Sequence, residues 1–182
     1  MVNCRQQVDG RGPRERSLPP GRGQRLLQFI VDGSLDTHGD PSRVPDRFMD
    51  LPPVDRADVV TERTFVFGRT NGGWCVNGKP FDPDVFSASP RLGTAEIWNF
   101  VNDAGGWSLP IHLGLEEHQV VSRNGRAPAA DEAAREDVLR LGPGESVTTF
   151  RRFRDFVGRY VTRSNNAVLG DHGALFQWKV VP

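Results

Sequence analysis

The stretch Trp107-Ser108-Leu109-Pro110-Ile111-His112-Leu113-Gly114-Leu115-Glu116-Glu117-His118-Gln119 decides how the rest of the chain is read. Residues 108 to 121 read as one or two β-strands around this motif. Residues two apart on a strand share a side, so one continuous strand would line up His112, Gly114, Glu116 and His118 on a single face. Two imidazoles, a carboxylate and a residue without a side chain on one face make a candidate site.

Working outward, the chain reads as all-β from Val59 onward. Residues 61 to 67 alternate Thr, Phe and Val, and Thr70-Asn71-Gly72-Gly73 turns into a strand at 74 to 76. Asn77-Gly78 is a strong hairpin signal because both residues tolerate positive φ. Further strands are expected over 93 to 101, 146 to 153, 161 to 166 and 174 to 181, with a turn at Gly142-Pro143-Gly144. The Ala-rich segment 131 to 138, acidic in its first turn, predicts the one short helix. Short strands at this spacing suggest a Greek-key β-sandwich or barrel. Ahead of this domain (57–182), residues 1 to 56 read as an extension or linker. Residues 1 to 23 are Gly-, Pro- and Arg-rich and are expected to be mobile or draped over a surface. Residues 24 to 31 read as a lone apolar strand that must pair with the main domain or with another chain, and 33 to 56 as an irregular connector carrying an exposed His38.

The 182 residues suffice for one domain with a real core. A formal net charge of zero implies neither nucleic acid nor a membrane surface as partner. No run approaches the roughly 18 apolar residues of a membrane span. The Arg-rich N-terminus lacks the apolar core of a secretory signal, so a cytoplasmic location with Cys4 and Cys75 as free thiols is expected. Only Lys79 and Lys179 depart from an otherwise all-Arg basic set, a composition that favours bidentate anion contacts.

The order and spacing of several segments carry a resemblance. They are Asn77-Gly78-Lys79-Pro80-Phe81-Asp82-Pro83, Leu92-Gly93-Thr94-Ala95-Glu96-Ile97-Trp98, Gly106-Trp107-Ser108 and Ser122-Arg123-Asn124-Gly125. Two more are the run from Asp137 to Pro143 and the run from Arg152 to Val161. Over residues 40 to 182 or so the chain resembles the third, C-terminal cupredoxin domain of the multicopper oxidases, the bilirubin oxidase and phenoxazinone synthase branch in particular. That resemblance implies a cupredoxin-like Greek-key fold. It also implies four positions for a mononuclear copper site, held in this chain by Leu109, Ser164, Leu169 and Ala174. The four positions for this domain's share of a trinuclear cluster are held by His112, Gly114, Arg163 and Asn165. A blue copper centre needs a thiolate, two imidazoles and a weak axial ligand. The residues present offer one imidazole among eight positions, so copper is not expected as a cofactor and no metal ligand is assigned.

Filling of the mononuclear site by leucine side chains is the expected repair, with a new ligand cavity as the alternative. For the second site, Arg163 and Asn165 share a side opposite Ser164, and the resemblance places them near His112. Loss of an imidazole at Gly114 would open room for an anionic or phenolic small molecule. His112, an imidazole of the class that titrates near neutrality, would act as general acid or base. Arg163 would hold a carboxylate or enolate. Asn165, Glu116, Gly114 and His118 complete the candidate binding set. On this reading the protein is repurposed for binding and metal-independent cyclisation, isomerisation or elimination in specialised biosynthesis. The other readings leave His112 as a relic hydrogen-bonded to one partner or to water. They make the chain a non-catalytic partner subunit, or a remnant without activity. Faces that the resembling oxidases cover with other domains would be covered here by residues 1 to 56, a homodimer or a partner protein. His172 is expected to be a locally bonded turn residue, and one member of the Glu116-Glu117 pair to be solvated.

Overall fold

A computed structural model describes residues 2–4, 24–30, 33, 39, 41–46, 50, 51, 53–114 and 116–182. His38 and Val31 lie outside the described residues. Two sheets face each other. One has six strands in the order β4-β3-β5-β10-β7-β8, and the other has four in the order β12-β11-β6-β9. The six-stranded sheet comprises β3 (Val59–Thr70), β4 (Gly73–Val76), β5 (Ala95–Asn102), β7 (His118–Arg123), β8 (Arg135–Glu136) and β10 (Ser146–Arg152). The four-stranded sheet comprises β6 (Leu109–His112), β9 (Val138–Leu141), β11 (Gly158–Ser164) and β12 (Leu175–Val180). All pairs are antiparallel except β3 with β5, which run parallel. The all-β sandwich expected from the sequence is therefore present.

Inward-facing positions of both sheets supply an aromatic core. Phe65 and Phe176 stack at 4.2 Å, and Trp98 meets Trp178 edge-on at 5.2 Å between ring centroids. Trp98, Trp178, Phe67, Phe100 and Phe153 have no exposed surface, so each contributes the full transfer free energy of its ring. A smaller cluster of Ala95, Ile97 and Phe150 lies on the other face of the six-stranded sheet. There Val54 and Val59, just before and at the start of β3, help to cover it.

The helix predicted over 131 to 138 is absent. That segment holds a single 3₁₀ turn, Ala130–Glu132, followed by β8 and β9. Pairing took precedence over propensity. Arg135 and Glu136 register with Gln119 and His118, and Val138 to Leu141 register with β6. The short helix is instead α1 (Ala167–Asp171), N-capped by the Asn166 side chain. Two residues past its end lies Gly173, whose φ of +102° and 2.9 Å approach of a would-be Cβ to the Trp74 carbonyl admit only glycine. The strand expected over 24 to 31 appears as β2 (Gln24–Leu27), and its partner is neither the main domain nor another chain but β1 (Val2–Cys4), in a separate two-stranded sheet. The N-terminal segment is thus not wholly irregular. Cys75 is buried and unpaired. Among the described residues no helix is long and apolar enough to cross a membrane.

One edge is closed by a strap. Residues 86 to 92 run beside β12: Ser87 N–H donates to the Gln177 carbonyl at 2.8 Å and Leu92 N–H to that of Val181 at 2.8 Å. In return Lys179 N–H donates to Ala88 and Val181 N–H to Pro90.

Candidate functional site

The motif at 107 to 119 does not form one strand. β6 ends at His112 in the four-stranded sheet, and β7 begins at His118 in the six-stranded sheet. The chain crosses between layers over residues 113 to 117. Period-two alternation is lost across the crossing, so His112, Gly114, Glu116 and His118 do not share a face. Gly114 adopts φ +95°, and a Cβ there would meet Trp178 Cζ2 at 3.2 Å. The expected opening at Gly114 is filled by that indole.

The crossing is held by Arg151, which the sequence pattern marked only as part of a strand. Its side chain is fully buried, with Nη1 donating to the Leu113 carbonyl at 3.0 Å and Nη2 to the Glu116 carbonyl at 2.7 Å. Its guanidinium carbon lies 4.7 Å from the Trp98 ring centroid and 5.0 Å from that of Trp178. Burial pushes the guanidinium down to about 9, opposed by the Glu116 and Glu96 carboxylates, and it stays charged at neutral pH. Glu96 is itself buried, accepting from Trp98 Nε1 at 2.7 Å and from both Nε and Nη2 of Arg63.

Glu116 is buried and accepts from the Arg154 backbone at 2.8 Å and the Arg154 guanidinium at 3.2 Å, while Glu117 is the solvated member of the pair. His118 is 1% exposed, beside Arg151 across the β7–β10 ladder, and neither ring nitrogen has a hydrogen-bond partner among the described residues. Burial first, and the Arg151 charge second, push its imidazole down to about 3. Glu116 and His118 are therefore interior groups, inaccessible to a ligand on the sheet surface. His172 Nδ1 lies 2.6 Å from the Val168 carbonyl, the local turn contact expected of it.

His112 and Arg163 are brought together. They are register partners across the β6–β11 ladder, so their side chains project from the outer face of the four-stranded sheet about one strand spacing apart. His112 is half-buried, and the nearest acidic group is Asp137, whose Oδ2 lies 3.8 Å from Nε2, beyond hydrogen-bond reach. Arg163 is exposed. Asn165 follows the end of β11 and its backbone N–H donates to the Pro110 carbonyl at 2.7 Å. The pair sits on an open surface, outside the 480 Å³ cleft between the 77–87 loop and β12.

Leu109, Ser164, Leu169 and Ala174 lie on β6, the end of β11, α1 and the residue before β12. All four are buried, and the three apolar ones belong to the main core cluster. Ser164 N–H donates to Ala174 O and Ala174 N–H to Leu169 O, each at 2.9 Å. This set contains no imidazole, thiolate or thioether. It does not fit a blue copper centre. Among the described residues no group of three or more His, Cys, Asp or Glu side chains is placed to hold a metal ion.

The fold and the elements around this face define a cupredoxin-like domain. The multicopper oxidase family profile matches residues 51–182, and the chain belongs to that family. It is 34% identical over 167 residues to bilirubin oxidase of Albifimbria verrucaria, covering 87% of this chain and 29% of that protein. It is 30% identical over 171 residues to a laccase of Bacillus stratosphericus, covering 80% and 32%. Among solved structures, the laccase-like multicopper oxidase CueO of Ochrobactrum sp. superposes with a TM-score of 0.72 at 23% identity, over 89% of this chain and 40% of that one. McoA of Aquifex aeolicus gives 0.69 at 17% identity, over 76% and 33%. The chain spans about a third of the length of these curated relatives.

Proposed function

We propose that this domain is a copper-free member of its family and that its outer sheet face binds a small anionic or phenolic molecule through His112 and Arg163. The observation that carries the reading is the cross-strand pairing of those two residues. A guanidinium with its donors in a fixed fork binds a carboxylate or phenolate bidentately, and it opposes a cation at the same place. His112, one strand away, reaches the same ligand and gives or takes its proton. Chemistry at this face is therefore acid–base, of the isomerisation or elimination type, with Asn165 at its border. Glu116 and His118 support the crossing beneath instead of touching the ligand.

The absence of donors at Leu109, Ser164, Leu169 and Ala174 supports the copper-free part. The test begins with elemental analysis of protein purified without a metal-affinity tag and then loaded with copper. The expected retention is under about a tenth of an equivalent, by ligand counting. One tightly held equivalent overturns the reading. Titration with 4-hydroxybenzoate, followed by amide shifts, should perturb β6 and β11 and lose that response in Arg163→Ala.

The openness of the face favours a second reading, in which the same residues dock another protein or a second copy of the chain. Val161, 43% exposed on β11, adds apolar surface beside Arg163. A concentration-dependent mass in sedimentation that Arg163→Ala and Val161→Asp abolish, with no response to 4-hydroxybenzoate, would select docking.

A further inference from the structure

A second site lies on the opposite side of β12 from Arg163's strand, where the 77–87 loop leaves a cleft of about 480 Å³ against the β4 and β12 edges. That volume falls in the range of small-molecule sites. Val76 and Phe176 contribute apolar core side chains to its floor, and Val85 and Phe86 stand on the loop side. Both ends of the loop are fixed. At its start, Val76 and Lys79 exchange backbone hydrogen bonds of 3.0 and 3.1 Å around Asn77 and Gly78, both at positive φ, as a tight hairpin requires. Near its end, Ser87 N–H donates to the Gln177 carbonyl, and the buried Gln177 side-chain amide donates to the carbonyls of Asp82 and Pro83. The cleft is preformed.

Lys79, Lys179 and Arg159 make its surroundings positive, and the first two are the only lysines of the chain. Lys79 lines the cleft, exposed at the end of the hairpin. Lys179 and Arg159, register partners on β12 and β11, both lie over the Phe86 ring at 5.0 and 5.2 Å from its centroid. They hold that ring as a wall and add positive potential beside it. Among the described residues the one acidic group lining the cleft is Asp82, whose Oδ1 accepts from the Asp84 backbone N–H at 2.9 Å. An apolar floor, an aromatic wall and a rim ammonium with no ion-pair partner among the described residues match a planar aromatic ring bearing one carboxylate.

We propose that this cleft is a binding site for aromatic carboxylates, with the ring over Val76 and Phe86 and the carboxylate on the Lys79 ammonium. It adjoins the His112–Arg163 face, since Leu175 in its lining is the register partner of Arg163, but neither His112 nor Arg163 lines it. The test is titration of the full chain with 2-naphthoate and, in parallel, with the neutral 2-naphthalenemethanol, followed by amide shifts. Saturable shifts are expected at Val76, Ser87 and Gln177. Lys79→Gln should weaken 2-naphthoate about threefold to fivefold, the range of an exposed ion pair, and leave 2-naphthalenemethanol unchanged. Val85→Asp, at a residue that is 51% exposed and so tolerant of substitution, should weaken the anion further. His112→Ala and Arg163→Ala should leave these shifts intact, which separates this site from the other face. The proposal is overturned if no saturable shift appears, if the shifts fall on β6 and β11, or if Lys79→Gln leaves 2-naphthoate affinity unchanged.

Discussion

Replacing Arg151 with methionine tests the account of how the chain passes between its two sheets. Methionine keeps most of the apolar stem, so contact with Trp98 and Trp178 is largely preserved and the substitution reports on the polar head. It removes the guanidinium donors to the Leu113 and Glu116 carbonyls at 3.0 and 2.7 Å, and the Leu113 carbonyl keeps only the longer bond from the Thr162 hydroxyl at 3.4 Å. The unsatisfied Glu116 carbonyl costs about 1–3 kcal/mol and the weakened Leu113 carbonyl about 1 kcal/mol, giving about 2–4 kcal/mol. Against this, a cation with no carboxylate in direct hydrogen bond is no longer desolvated, which returns part of the loss. The expected net destabilisation is about 2 kcal/mol. Urea unfolding monitored by tryptophan fluorescence should show a lower midpoint with an unchanged slope. Arg151→Lys, with a compact head unable to span both carbonyls, should lose about half as much. A methionine variant within about 0.5 kcal/mol of the parent would mean that the guanidinium does not hold the crossing, because such tolerance is that of a surface position.

His118 makes stability fall in mild acid. Below pH 6.5 the unfolded chain takes up a proton at this imidazole that the folded protein refuses until about pH 3. The unfolded state then binds more protons, and stability declines as pH drops across that window by up to about 1.4 kcal/mol per pH unit. His118→Leu should flatten that part of the pH profile, as read by urea midpoints at stepped pH. Asn102 is a second buried clamp, its amide donating to the carbonyls of Trp107, Leu141 and Gly142 while Oδ1 accepts from Ala104 N–H at 3.0 Å. Asn102→Ala should cost about 3 kcal/mol in the same assay, and Asn102→Asp no less, since a carboxylate cannot donate. Gly114→Ala should cost about 1–2 kcal/mol, because a Cβ at φ +95° also presses on Trp178.

Period-two patterning and the Asn77-Gly78 turn made most strands legible, since these residues have few other ways to satisfy their backbones. What could not be read was where the chain changes layer. Residues 107 to 119 carry a good strand pattern, but Gly114 at positive φ breaks it, and no local signal distinguishes a strand glycine from one at a crossing. The Ala-rich segment 131 to 138 misled for a similar reason: helix propensity there is worth less than the pairing of Val138–Leu141 with β6. Of the candidate site, the proximity of His112 and Arg163 followed from the family resemblance. The interior placement of His118 and Glu116 depended on the crossing. The cleft at Lys79 left one trace in the sequence, the restriction of lysine to two positions in an arginine-rich chain.

The strap over residues 86 to 92 bears on solubility. A bare outer strand offers a row of N–H and C=O groups to any passing chain, and β12 would be such a template. Its outward groups at Gln177, Lys179 and Val181 are already engaged by Ser87, Ala88, Pro90 and Leu92. The prolines at 83 and 90 flank a segment that cannot itself propagate a ladder, since a proline nitrogen has no hydrogen to donate. The strap thus works as a terminator. It completes the sheet's hydrogen bonding at that side and leaves the next molecule nothing to extend.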